Sequence, residues 1–426
     1  MKSVVILAYA FPPENTTGAN RPHRFYKFLP AYGYQPHVVA ARPDLECWDR
    51  VRRVPGAVPR RKVRAQAAAA WLVERFALPF VDFLPWIPHA VDSAREVMRH
   101  WEVAAVVSTF PPTSTHLAAL WLKLAHGVRW IADFRDPLVG NPFRVRRWPI
   151  PYSKWVEAAI FRHADAVIAN TDSLADEWRE RYPFAAAKIR TIWNGFDPES
   201  PLKPIPLSTR RWLHVAHLGT LYGGRHPRVF LESLERLLDC GLLPPDAVRV
   251  ELTGPVEQGT VDACGDVLGR MRRRGVVDFT PTAIPQQEAG ARISDADILL
   301  MLDINGTEQS IQVPAKLFEY ARVDRPILVF TTRDSPLKRI LAASGIDHVC
   351  VELEHIPQQV DDLVLGFLLG GKRVSRANDW FWSTFDGRKQ TAQLADAIAG
   401  RAKTDVLEPG CLSDGAAWKE PDTMVR

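Results

Sequence analysis

In the stretch NGTEQSIQVPAKLFEYARVDRPILVF, Pro314 is suited to open a helix, and Lys316 and Glu319 follow three residues apart on one face of it. A carboxylate so placed can accept hydrogen bonds from two vicinal hydroxyls of a ribose, while the lysine meets phosphate. The same two groups can instead close on each other as a solvated ion pair worth a few tenths of a kcal/mol. A second stretch, WLHVAHLGTLYGGRHPRVFLES, reads as a strand ending at Gly219, a loop with Gly223 and Gly224, and a helix with Pro227 suited to its first turn. Glycines let a backbone approach an anion, a helix start supplies free N–H groups, and Arg225 adds a positive charge beside them. The bland alternative is a tight strand-to-helix turn, since neither a G-x-G-x-x-G nor a Walker loop is present.

Three further clusters have chemical potential. In VRWIADFRDPLVGNP, Asp133, Arg135 and Asp136 stand at the C-terminal end of an expected parallel strand, where open α/β sheets build their sites; they can equally form a self-satisfied charge cluster. In STFPPTSTH, Ser108, Thr113 and Ser114 can cap a helix. His116 there points into a cleft on one reading and into a core, the favoured one, on the other. KIRTIWNGFDPES places Asn194, Gly195 and Asp197 in a turn just before a linker. His214 and His217 in HVAH fall on an expected strand without the glutamate of a zinc-protease helix, so no metal site is expected there. The acidic cluster near Asp295 and the basic one near Arg272 read as a strand entry and a solvated helix end.

The elements that must position these residues alternate strand and helix. SVVILAY, PHVVAAR, VAAVVSTF, VRWIADF, DAVIANT and KIRTIWNG read as strands, with RPHRFYKFLPAYG, THLAALWLKLA, SKWVEAAIFRHA and SLADEWRERY as helices between them. SPLKPIPLSTRR is a proline-rich linker. The alternation then restarts through WLHVAHLG, RVFLESLERLLDCG, VRVELTG, VDACGDVLGRMRRRG, VVDFTP, ADILLML, PAKLFEYARV and PILVFTT, and WFWSTFDGRKQTAQLADAIAG reads as one terminal helix. The expected domains are 1–203, 204–378, a returning helix over 379–400, and a disordered tail over 401–426.

The opening MKSVVILAYA has the elements of a secretion signal, but a single lysine precedes a short apolar run whose Val4, Val5 and Ile6 are β-branched, and a buried strand is expected. The chain of 426 residues is 46% hydrophobic and 24% charged, a globular composition long enough for two domains. Its net charge of +5 is too small to argue for nucleic acid, and no nucleic-acid module is recognisable. Five scattered cysteines without a C-x-x-C pair suit a reducing, cytoplasmic setting. No apolar run reaches the roughly 20 residues of a membrane span, so any membrane contact is peripheral. The basic residues Arg50, Arg52, Arg53, Arg60, Arg61, Lys62 and Arg64, followed by Trp71, Phe76, Phe80, Phe83 and Trp86, suit the cytoplasmic face of an anionic membrane; surface solvation and core burial explain them equally well.

The order of PPENTTGANR, NGFD, GTLYGGR and VPAKLFEYARVDRPIL resembles that of the retaining glycosyltransferases of the GT-B fold, family 4 and its relatives, over residues 1 to 398. The resemblance implies an α/β protein with two doubly wound Rossmann-like domains facing a central cleft and a C-terminal helix crossing back to the first. It implies a nucleotide-sugar donor held mainly by the second domain and a glycan or lipid-linked acceptor on the first. Glu319 would hold the ribose, and Arg225 and Lys316 would neutralise the diphosphate. Gly18 would approach the phosphates or the acceptor from the other side, with Asn20, Arg21 and His116 on the acceptor side. Asp133, Arg135 and Asp136 belong with the catalytic candidates; Gly219, Thr220, Gly223, Gly224, Pro314, Asn194, Glu308 and Gln312 belong with the donor.

Two departures from the family pattern stand out. Ile311 occupies the position eight before Glu319 where a glutamate is frequent, with Glu308, Gln309 and Gln312 as neighbours able to substitute, and Arg135 stands where many relatives have a histidine. An arginine is no base at neutral pH, though it binds hydroxyls and phosphates. By analogy, transfer would retain anomeric configuration through front-face attack, without metal, cofactor or protein nucleophile. Rival readings are a nucleotide-sugar 2-epimerase of the same fold and a catalytically silent nucleotide-sugar-binding subunit. A dehydrogenase is disfavoured, because the loop after SVVILAY lacks the dinucleotide fingerprint and no acidic residue ends PHVVAAR.

Overall fold

Both faces of the opening strand are covered by protein: Val4, Val5, Ile6 and Leu7 are all 0% exposed, which is why the run is continuously apolar instead of alternating. In the computed structural model, which describes residues 1–14, 16–46, 48–56, 84–140, 150–222, 224–303 and 313–401, this segment is β1 (Lys2–Leu7), a central strand. The first sheet continues through β2 (Tyr34–Ala40), β3 (Val51–Arg53), β4 (Val103–Phe110), β5 (Trp130–Phe134), β6 (Ala166–Ala169) and β7 (Ile189–Thr191). It is parallel, in the order β3-β2-β1-β4-β5-β6-β7. The helices between are α1 (Thr17–Phe28), α2 (Trp86–His100), α3 (Thr113–His126), α4 (Ile150–His163) and α5 (Asp172–Arg181).

The second sheet comprises β8 (Leu213–Leu218), β9 (Val248–Thr253), β10 (Val277–Thr280), β11 (Ile298–Leu302), β12 (Ile327–Thr331) and β13 (His348–Glu352), parallel in the order β10-β9-β8-β11-β12-β13. Its helices are α6 (Arg228–Asp239), α7 (Gln258–Arg273), α8 (Gln286–Asp295), α9 (Lys316–Tyr320), α10 (Pro336–Ser344) and α11 (Pro357–Leu369). Each sheet reverses its winding beside its first strand, between β1 and β4 and between β8 and β11. Crevices therefore open at the carboxyl ends of those strands.

Several elements differ from the sequence reading. The first helix begins at Thr17, four residues before RPHRF, with Pro22 inside it; the N–H that Pro22 lacks would have served the carbonyl of Gly18. PAKLFEYARV is helical only over Lys316–Tyr320 and then tightens into a 3₁₀ turn over Ala321–Val323, closed by Asp324 at φ 54°. The terminal stretch is two helices, α12 (Asp379–Phe385) and α13 (Gly387–Ala399), broken at Asp386, whose carboxylate caps the second by accepting from the Arg388 N–H at 2.6 Å. β3, β13 and the helices α2, α8, α10 and α11 add to the elements read from the sequence.

The linker is docked to the second domain. Arg322 donates to the carbonyls of Ser200 and Leu202 at 3.0 and 3.3 Å, Arg325 to that of Ile205 at 2.8 Å, and the Ser294 hydroxyl to that of Lys203 at 3.0 Å. The return crossing pairs with the outgoing one. Phe196 N–H donates to Phe385 O at 3.1 Å and Gly387 N–H to Phe196 O at 3.0 Å. Helix α13 then places Leu394, Ala395, Ala397 and Ile398 against Val4, Ile6, Val107 and Ile131 of the first sheet. Burying its Leu394 and Ile398 contributes about 1.5–3 kcal/mol each.

Gly195 is required by this crossing, since a Cβ there would lie 2.1 Å from Phe385 O and 2.4 Å from the Gln390 amide. Gly195→Ala is therefore expected to destabilise by about 1–3 kcal/mol through overpacking, seen as a lower urea midpoint. An unchanged midpoint would contradict the packing of the two crossings.

Candidate active site

The side chain of Lys316 crosses the face of Gly219. A Cβ on Gly219 would come within 3.1 Å of Lys316 Cε and 3.7 Å of His217 Nε2, so the glycine turn after β8 and the start of α9 share one crevice beside the β8/β11 switch point. Tyr320 ties the two together by accepting from the Leu218 N–H at 3.2 Å. Lys316 Nζ donates to Glu319 Oε2 at 2.8 Å, with both side chains about one-third exposed. The pair thus faces the crevice, and a ligand that takes both carboxylate oxygens competes with the lysine for them.

Close passage recurs along this rim. Gly254, at φ 144°, would place a Cβ 2.3 Å from Gly219 O, so only glycine lets the β9 end run beside the β8 turn. Gly224 has φ 84°; Gly223, Glu308, Ile311 and Gln312 lie outside the described residues. Arg225 Nη1 donates to the Tyr222 hydroxyl at 3.0 Å, and its guanidinium stands over the same ring. Thr220 is exposed at the turn and Pro314 is buried beneath α9.

Opposite stands the first domain. Burial raises the carboxyl pKa of Asp136, while the charges of Arg135 and Arg225 pull it down, so Arg225 of the second domain is near enough to act on Asp136 of the first. Arg135 is held by its own backbone neighbourhood, donating from Nε to Phe110 O at 3.1 Å and from Nη2 to Pro111 O at 2.6 Å. Burial lowers its pKa, with Asp136 and Asp133 opposing. Gly18 packs directly on it: a Cβ there would meet Arg135 Nη1 at 2.6 Å. The loop after β5 is braced by buried Glu157, which accepts from the Val139 N–H at 2.9 Å and from Tyr182 Oη at 2.9 Å.

Other candidates lie beneath the cleft surface. Arg21 is 1% exposed and Asp133 0%; the guanidinium grips that carboxylate from Nε and Nη2, closest at 2.7 Å, and also donates to the carbonyls of Ile192 and Trp193. They form a strut between α1, β5 and the outgoing crossing, with no surface to offer an acceptor or a reacting group. His116 is likewise 0% exposed, bonded through Nδ1 to Ser108 Oγ at 2.7 Å and packed 4.3 Å from the Phe134 ring centre; the core reading of this residue describes it, and the acceptor-side one does not. Asn20 is exposed on α1. Asn194 serves the crossings, its carbonyl accepting from Gln390 Nε2 at 3.1 Å and its side-chain oxygen from Arg21 at 3.4 Å.

Part of the membrane reading is also reassigned. Trp86 is fully buried against Tyr9, Arg52 pairs with Glu96 at 2.6 Å, Arg50 pairs with Asp49 at 3.1 Å, and Arg53 donates to the carbonyls of Glu46 and Ala41 at 2.9 and 3.0 Å. Arg60, Arg61, Lys62, Arg64, Trp71, Phe76, Phe80 and Phe83 lie outside the described residues. No described helix is long and apolar enough to cross a membrane.

The site residue that sequence reasoning passed over is His217. It was set aside with His214 as a metal ligand, and His214 is indeed engaged elsewhere, with Glu251 at 3.1 Å. The available signal was position: a polar side chain two residues before the glycine that ends β8.

Two doubly wound sheets facing each other across a cleft, with the return helix on the first, define the GT-B fold of glycosyltransferases. Similar solved structures span nearly the whole chain. They include Anabaena HepE in complex with UDP-glucose, at 13% identity over 94% of this chain and 100% of that chain with TM-score 0.62. Sucrose-phosphate synthase from Thermosynechococcus elongatus matches at 13% identity over 94% and 96% with TM-score 0.60. WaaG, a glycosyltransferase involved in lipopolysaccharide biosynthesis, matches at 14% identity over 93% and 100% with TM-score 0.58. No curated protein matches by sequence. Residues 19–200 match the model of Glycosyltransferase Family 4, and the fold of the whole chain is GT-B.

The buried histidines make a pH prediction. Burial, its dominant cause, lowers the pKa of His116 to about 3 and that of His217 to about 4. Unfolded imidazoles titrate near ~6.5, so below that pH the unfolded chain takes up protons that the folded chain refuses. Stability is full above about pH 6.5 and falls as pH drops toward 4, by up to roughly 1.4 kcal/mol per pH unit per histidine. His116→Phe should show a shallower loss between pH 6.5 and 4.5 than the parent in urea titrations; an identical slope would contradict a neutral buried His116.

Proposed function

We propose that this protein transfers a sugar from a nucleoside-diphosphate donor to a hydroxyl of a glycan or lipid-linked acceptor, with retention and without a metal ion. The observation that carries the reading is the meeting of Gly219, Lys316 and Glu319 in one crevice at the β8/β11 switch point. An exposed carboxylate suited to a ribose diol stands there beside a lysine suited to phosphate. The similarity to HepE, whose structure holds UDP-glucose, supports the same reading.

In the proposed reaction the bond from the anomeric carbon to the diphosphate oxygen breaks, and that oxygen takes the electron pair. The acceptor hydroxyl forms the new bond on the same face, and its proton passes to the departing phosphate. Arg225 and Lys316 lower the barrier by meeting the charge that develops on the leaving group. Asp136, within electrostatic reach of Arg225, and its neighbour Arg135 would orient donor or acceptor hydroxyls. Asp136 has a carboxyl made less acidic by burial and is the better proton acceptor of the two. For location, we propose the cytoplasmic side of a membrane, with the basic and aromatic segment from Arg60 to Phe83 as the part that meets lipid.

A thermal-shift screen with UDP-, GDP-, ADP- and dTDP-sugars is expected to identify one stabilising donor class. Glu319→Ala should then weaken that donor and reduce kcat/KM by about 100-fold or more, since a charged pair of hydrogen bonds to ribose is lost. Donor affinity and turnover near those of the parent would overturn the assignment.

A further inference from the structure

His217 has an unspent nitrogen beside Lys316. Its Nδ1 lies 2.9 Å from the carbonyl of Leu300, on the neighbouring strand β11. A carbonyl only accepts, so Nδ1 carries the proton, and Nε2 of the neutral ring keeps a lone pair. That Nε2 is buried and has no hydrogen-bond partner among the described residues, in a side chain only 5% exposed. Leaving an acceptor buried and unpaired costs free energy, and such groups in native proteins call for a partner.

The partner within reach is Lys316. Its Cε and the His217 Nε2 both lie within 4 Å of the point where a Gly219 Cβ would be, so lysine and imidazole meet over the glycine that ends β8. The charges of Lys316 and Arg225 both act on the His217 ring, consistent with that proximity. Glu319 now occupies the lysine ammonium. A ribose that takes both carboxylate oxygens of Glu319 evicts this ammonium, and the unpaired Nε2 is the acceptor it finds next.

We propose that His217 is a positioning residue: its Nε2 is the second seat of the Lys316 ammonium, taken when a ribose displaces Lys316 from Glu319, and it holds that ammonium above Gly219 for the donor diphosphate. The inference rests on the proposed donor site and adds a component to it. One donor, the lysine, is thereby passed from a carboxylate to an uncharged acceptor that leaves its full positive charge available to phosphate. Gly219 keeps the path clear, because any side chain there would wedge the two apart.

The test is a double-mutant cycle read by calorimetric titration with UDP, GDP, ADP and dTDP, using whichever binds the parent most tightly. His217→Leu should weaken binding about tenfold, the value of one hydrogen bond to a charged group. In a Lys316→Ala background the same change should have almost no effect, and His217→Gln, which keeps an acceptor near Nε2, should restore most of the affinity. Equal loss in both backgrounds, or none in either, overturns the proposal while leaving the donor site standing. If none of the four nucleotides binds the parent, this proposal and the proposed function fall together. An independent readout on the unaltered protein is the ¹⁵N spectrum of its imidazoles: Nε2 of His217 should be unprotonated without ligand and shift on nucleotide binding, and an unmoved Nε2 resonance would overturn the assignment.

Discussion

The chain crosses between its two sheets twice, and the crossings hydrogen-bond to each other. Phe196 and Gly387 exchange backbone bonds with Phe385 and Phe196, Gly195 leaves no room for a side chain, and Asp386 starts the helix that completes the first domain's core. This small constraint sets which edges of the two sheets confront each other. Because α13 fills the face of the first sheet that carries Val4, Ile6 and Ile131, the return crossing is part of that domain's core, and the second domain is anchored at two adjacent points. The Arg21–Asp133 strut reinforces the same place, tying α1 and β5 to the carbonyls of Ile192 and Trp193 just before the outgoing crossing. Removing one member of such a buried pair typically costs about 3–5 kcal/mol, because the other is left uncompensated.

From that frame the site follows by topology. The carboxyl ends of β8 and β11 present Gly219 and the approach to α9, and those of β4 and β5 present Arg135 and Asp136 opposite. Electrostatics then divides the labour. The cations Lys316 and Arg225 rest against Glu319 and Tyr222. The Lys316–Glu319 pairing is cheap to exchange, since partly exposed ion pairs contribute little. In the proposed reaction a diphosphate entering the crevice would meet cations already oriented, and the neutral His217 beside them would add no competing charge.

Much of the fold was legible because both sheets are buried on both faces, so that strands such as SVVILAY and ADILLML read as unbroken apolar runs. Short or partly polar elements were not: β3 spans only Val51–Arg53, and β13 has the half-buried pattern of an edge strand. The break at Asp386 was hidden by a helical pattern running through both α12 and α13; a capping Asp before Gly was the available sign. Within the site, Lys316, Glu319 and the Gly219 turn were visible through spacing and turn chemistry. Arg21, Asp133 and His116 look equally reactive in sequence, and only burial separates a strut from a ligand contact. His217 gave only a weak positional sign, for the opposite reason: the role proposed for it lies in a hydrogen bond it does not make.

The central claim is that the second domain grips a nucleoside diphosphate where β8, α9 and the Arg225 turn converge. The most direct measurement is a crystal structure with the tightest-binding nucleoside diphosphate. The account predicts the diphosphate above Gly219 within reach of Lys316 and Arg225, and the ribose hydroxyls on Glu319. A nucleotide seated instead in the β1/β4 crevice of the first domain, with the Lys316–Glu319 pair intact, would contradict it.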